Sequence, residues 1–86
     1  MPDLSWNTPV EVVMPHSGTQ TVHGPFAALI LLMDEWPTMI GPAYAMARSS
    51  CRASLDGRTT PEDARERFVS AAQEARLLPQ AQLSVA

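Results

Sequence analysis

The 86-residue sequence contains no lysine, one cysteine and one tyrosine, and its longest uninterrupted apolar run, Phe26 to Met33, spans eight residues. A lone cysteine, Cys51, allows no intramolecular disulfide, which excludes the small cystine-stapled secreted scaffold. The apolar run falls far short of the roughly 20 residues a helix needs to cross a bilayer, so no membrane association is expected. The opening stretch Met1 to Trp6 has no basic segment followed by an apolar one, so no secretory leader is expected there and the cytoplasm is the expected compartment. Nine acidic residues stand against six basic ones, all arginine, for a net charge of −3. Such a chain lacks the concentrated positive field that gathers phosphate backbones, and nucleic acid is not an expected partner.

Recognisable catalytic spacings are also missing. His16, His23 and Cys51 are the only soft metal ligands, and none forms a CxxC or HExxH pair that would bring two onto one surface. No metal site, cofactor or catalytic residue is expected. Asp34 and Glu35 are adjacent carboxylates, yet neighbours on a helix diverge by about 100° and cannot face one substrate. Cys51 lies at a position that reads as core, where a thiol behaves as a small hydrophobe; its neighbours Arg48 and Arg52 are the only argument for a reactive one. No nucleophile stands at a spacing that would pair it with a base, so the chain does not read as an enzyme.

What the sequence does contain is enough to specify one domain. With 45% hydrophobic and 17% charged residues it has ordinary globular composition. Two runs rich in β-branched residues, Pro9 to Met14 and Thr19 to His23, flank Pro15-His16-Ser17-Gly18, in which proline fixes φ and glycine can turn left-handed. This predicts a β-hairpin with Val10, Val12, Met14 and Val22 on its inner face and Val13 on the outer one. Gly24-Pro25 and Gly41-Pro42 each open a helix with proline at the first helical position, and Thr60-Pro61-Glu62-Asp63 opens a third with a capping threonine and acids in the first turn.

The helices are expected over Pro25 to about Glu35, Pro42 to about Leu55, and Pro61 to Leu78, where Pro79 ends the last. In helix one, Phe26, Leu29, Ile30 and Met33 with Trp36 at their edge form the expected inward stripe, leaving Leu31 and Leu32 outward. Tyr44, Ala47, Cys51 and Leu55 form the inward stripe of helix two, and Ala64, Phe68, Ala71, Ala75 and Leu78 that of helix three. The expected fold is α+β, a single ββααα domain over residues 1–86 with an ordered core from about 6 to 78 and a loose tail over 79–86.

The run Trp36-Pro37, Gly41, Tyr44, Ala47, Cys51, Leu55-Asp56-Gly57, Glu62, Ala64-Arg65, Phe68 and Ala71 to Ala75, with Trp6 and Pro9-Val10 ahead of it, resembles the small rhizobial domain of unknown function family numbered 982. The resemblance covers Trp6 to Arg76. It implies the architecture and no activity, substrate, cofactor or site residue.

Two functional readings follow. The first is a non-enzymatic protein-interaction module, expected to be a homodimer, because a two-stranded sheet leaves open edges and because Val13, Leu31 and Leu32 would form an outward apolar patch. The second is a small-molecule-binding or sensor domain built on the connector between Trp36 and Tyr44, whose aromatic rings flank a rigid proline-containing loop.

Overall fold

The structure is a computed structural model that describes residues 4–79. Strand β1 (Val10–Met14) pairs antiparallel with β2 (Gly18–Val22), and helices α1 (Pro25–Asp34), α2 (Pro42–Leu55) and α3 (Pro61–Glu74) follow. This is the α+β hairpin-then-three-helices order that the sequence predicts. The register opposes Val10 to Val22, Val12 to Gln20 and Met14 to Gly18. Val10, Val12, Met14 and Val22 therefore share one face and enter the core. The Pro15-His16-Ser17 turn closes because Gly18 adopts φ 75°, a left-handed conformation that costs glycine nothing.

The centre of the core is Phe68. It is fully buried, with the Trp36 ring centroid at 5.4 Å and the Trp6 centroid at 5.8 Å, both tilted against it. Trp6 is held from both sides: its backbone N–H donates to His23 O at 2.6 Å and its indole Nε1 to Pro61 O at 2.8 Å. Arg65 Nε donates to Thr8 O at 2.7 Å, so the segment before β1 is strapped across the start of α3.

Helix α1 is turned the other way from its expected orientation. Ala28, Leu29, Leu31 and Leu32 are buried, while Phe26, Ile30 and Met33 are exposed, Phe26 by 65%. Leu31 and Leu32 are therefore core residues and no part of an outward patch. Two features select this face. Ala28, small and fully buried, permits close approach of a neighbouring helix, and the Leu32 carbonyl accepts the Tyr44 hydroxyl at 2.8 Å inside the core.

Helix α2 has the expected bounds, with Tyr44, Ala47 and Cys51 buried; Ser54 completes that face where Leu55 was expected, and Leu55 is half-buried. Gly57, at φ 79°, ends α2 with the paired backbone bonds Gly57 N–H to Ser54 O and Arg58 N–H to Ala53 O. Thr60 caps α3, its Oγ1 accepting the Asp63 N–H at 3.0 Å. Asp63 Oδ2 accepts the Thr59 hydroxyl at 3.2 Å.

Helix α3 stops at Glu74, four residues before Leu78. Arg76 takes φ 58°, and Arg76 N–H to Gln73 O and Leu77 N–H to Ala72 O close the same paired cap that Gly57 closes on α2. Leu77 and Leu78 are thereby folded back into the core as loop residues, and Leu77 O accepts the Val13 N–H at 2.7 Å. The expected loose tail lies, apart from Pro79, outside the described residues. A non-glycine residue held left-handed costs about 1 kcal/mol, so Arg76→Gly is expected to raise the urea-unfolding free energy by about 0.5–1 kcal/mol. A decrease would mean that the arginine side chain contributes more than the backbone strain removes.

Candidate functional site

Three surfaces can be assembled from side chains the fold brings together. The first is the free margin of the hairpin. Because the Val13 N–H points to Leu77, Val13 and Thr19 form a pair that does not exchange hydrogen bonds, and alternation turns the Thr19 and Thr21 backbone groups away from β1. At the end of that margin His23 O is taken by Trp6. Among the described residues the backbone N–H and C=O groups of Thr19 and Thr21 have no partner. Val13, on the outer face of the sheet, is 44% exposed as expected. The exposed stripe Phe26, Ile30 and Met33 follows directly on α1, and Phe26 lines a recess of about 280 Å³ with Leu4, His23 and Leu55.

The second surface is the connector between Trp36 and Tyr44. Both rings are buried: Trp36 rests on Phe68, and Tyr44 is anchored through its hydroxyl to Leu32 O. Their edges meet in a recess of about 120 Å³ floored by Thr38, Ile40 and Ala71. A cavity of that volume holds a few waters, well below the roughly 300 Å³ at which ligand pockets begin. Ile40 and Tyr44 also line a larger open groove of about 410 Å³ between the connector and α2, together with Met39, Arg48, Ser49 and Arg52. The Arg48 guanidinium lies over the Tyr44 ring, 5.7 Å from its centroid. Sequence reading treated Arg48 and Arg52 only as neighbours of Cys51. The signal it passed over is their i,i+4 spacing on a helix with no acidic residue.

The third candidate is Cys51. It is wholly enclosed, and burial pushes its thiol from an ordinary value near 9 up to about 12. Desolvation disfavours the thiolate, so the group is a small core hydrophobe rather than a nucleophile. Folded protein is expected to resist an aromatic disulfide reagent at pH 8 and to react fully in urea; fast modification of the folded state would contradict the burial. The unfolded chain releases this proton near pH 9 and the folded one near pH 12, so between those values the unfolded state binds fewer protons. Stability should therefore fall as pH rises through that window, by up to about 1.4 kcal/mol per pH unit. The difference between wild type and Cys51→Ala isolates this contribution.

Among the described residues no group of three His, Cys, Asp or Glu side chains converges as metal ligands would, and no helix is long and apolar enough to cross a membrane. His16 and His23 are both exposed, and Glu35 Oε1 accepts the Ser17 hydroxyl at 2.9 Å, tying the end of α1 to the hairpin turn.

A family model described as "Protein of unknown function (DUF982)" matches residues 8–79. The chain is also similar to Agrobacterium tumefaciens protein Atu1219, whose solution NMR structure superposes with a TM-score of 0.75 at 32% identity, over 90% of this chain and 77% of that one. No curated protein matches.

Proposed function

The chain belongs to the DUF982 family, from which no activity is inherited, and we propose that it is a non-enzymatic protein-interaction module that pairs with a second copy through the margin of β2. The observation that carries this reading is the unequal treatment of the two sheet edges. β1 is covered where Val13 N–H meets Leu77 O, whereas among the described residues the outward backbone groups of exposed Thr19 and Thr21 meet no protein partner. Proteins ordinarily protect such an edge with charge, proline or a bulge, and the β2 sequence Gly-Thr-Gln-Thr-Val has none of these.

The edge is self-complementary. A two-fold axis through Gln20 would set Thr19 of each copy opposite Thr21 of the other, so that each pair exchanges both backbone hydrogen bonds. The isolated two-stranded sheet, marginal by itself, would become the half of a continuous four-stranded one. The exposed stripe Phe26, Ile30 and Met33 offers apolar area beyond the strand contact. The single, fully buried cysteine fits a reducing compartment, and we place the protein in the cytoplasm.

Light scattering across a hundredfold concentration range tests the pairing. Wild type is expected to pass from monomer to dimer, and Thr21→Pro to remain monomeric with an unchanged far-ultraviolet spectrum. Proline there removes an outward N–H and none of the bonds to β1. A wild-type monomer at every concentration would overturn the proposal.

A further inference from the structure

The geometry points to a second, separate site: the groove between the 38–41 connector and α2 binds a small organic anion that carries a carboxylate or phosphate head on an apolar body. Three observations converge there, none of them involving the β2 margin. Arg48 and Arg52 stand one helical turn apart on the groove wall, and among the described residues neither meets a carboxylate within ion-pairing distance. Like charges at this spacing oppose each other, and α2 itself has no acidic residue, while Asp56, at its C-cap, is ion-paired with Arg58. In a chain of net charge −3 this is a local reversal of sign that an anion would relieve.

The groove also has an apolar half. Ile40 is 77% and Met39 48% exposed, both on the segment between Pro37 and Gly41-Pro42, immediately beside the two guanidinium groups. An exposed isoleucine on a connector stiffened by flanking prolines is already positioned for contact, and methionine adapts its shape to what it meets. Tyr44 joins the halves. Its ring lines the groove and lies beneath Arg48, while its hydroxyl is fixed on Leu32 O, so the guanidinium rests on an anchored surface. Planar guanidinium groups match a carboxylate or phosphate through paired N–H donors, which accounts for the head. At about 410 Å³ the groove lies within the usual size range of small-molecule pockets and has room for an alkyl chain or a ring beside the head.

Octyl phosphate, below its micellar concentration, is the probe, followed by calorimetry and by amide chemical shifts of residues 39–52. Wild type is expected to bind with a Kd on the order of 1 mM, reasonable for an open site and a ligand of this size. Arg48→Gln and Arg52→Gln should each weaken binding about tenfold, and the double variant should abolish it. Ile40→Ser should weaken octyl phosphate while leaving the much weaker binding of inorganic phosphate unchanged. All three side chains are exposed, so the variants retain the fold. Equal binding by the double arginine variant would overturn the proposal, as would inorganic phosphate binding as tightly as octyl phosphate. Attachment to phosphatidylglycerol vesicles with no binding of the dissolved probe would assign the surface to a membrane and overturn it too.

Discussion

Replacing Phe68 with alanine is expected to leave the domain largely unfolded at 37 °C. Truncating a buried phenylalanine costs about 3–5 kcal/mol, and a domain of this length has on the order of 5–10 kcal/mol in total. Phe68 is also where two otherwise separate parts of the chain meet: Trp6, from ahead of the hairpin, and Trp36, from the end of α1, both rest on its ring. Removing the ring would release both indoles at once, each losing about 0.5–1.5 kcal/mol of aromatic contact beyond buried area. Tryptophan fluorescence during urea unfolding reads this directly, since the only two tryptophans both lie against Phe68. A midpoint for Phe68→Ala within about 1 kcal/mol of wild type, well under that cavity cost, would show that the two rings do not depend on it.

The second large effect separates two adjacent residues. Leu31→Glu should abolish folding, because it would put a carboxylate into the hydrophobic core at a site only 7% exposed. Ile30→Glu, one position earlier and 43% exposed, should change stability by no more than about 1 kcal/mol. Thermal melts of the pair would decide which face of α1 is inward, and the reverse ranking would restore the orientation expected from sequence.

That orientation is where sequence reasoning failed, and the reason is physical. Helix α1 reads Pro-Phe-Ala-Ala-Leu-Ile-Leu-Leu-Met-Asp, apolar nearly all round, so no polar face identifies the outside. Choosing the largest side chains for the interior put Phe26, Ile30 and Met33 there. The fold instead used Ala28, whose small size allows close helix packing, and that preference depends on a neighbour absent from local periodicity. Where polar residues interrupt the pattern, as in the hairpin and, Leu55 apart, in α2, the buried face was legible.

Helix starts were legible because proline and capping threonine mark them chemically, and the end of α2 because glycine does. The end of α3 was not, since the left-handed residue there is Arg76 and no local signal distinguishes it from a continuing helix. Trp6 entered the sequence reading only through family resemblance. Its bonds to His23 and Pro61 involve residues remote in the chain, and the arginine groove likewise exists only once the connector has folded beside α2.

The bond between Trp6 and Pro61 joins residues 55 positions apart, and that between Thr8 and Arg65 joins residues 57 apart. On the ribosome the hairpin emerges ahead of the three helices, and until α3 and its C-terminal turn follow it has neither Phe68 to rest on nor the Leu77 carbonyl to cover its first strand. Loop closure over such a span is entropically slow relative to local helix formation. Until that closure the margin of β1 that Leu77 O covers in the folded domain is as open as Thr19 and Thr21 on β2. On the pairing proposed above, neighbouring nascent copies on one message would be the strands most readily at hand, and partner choice would be made during synthesis itself.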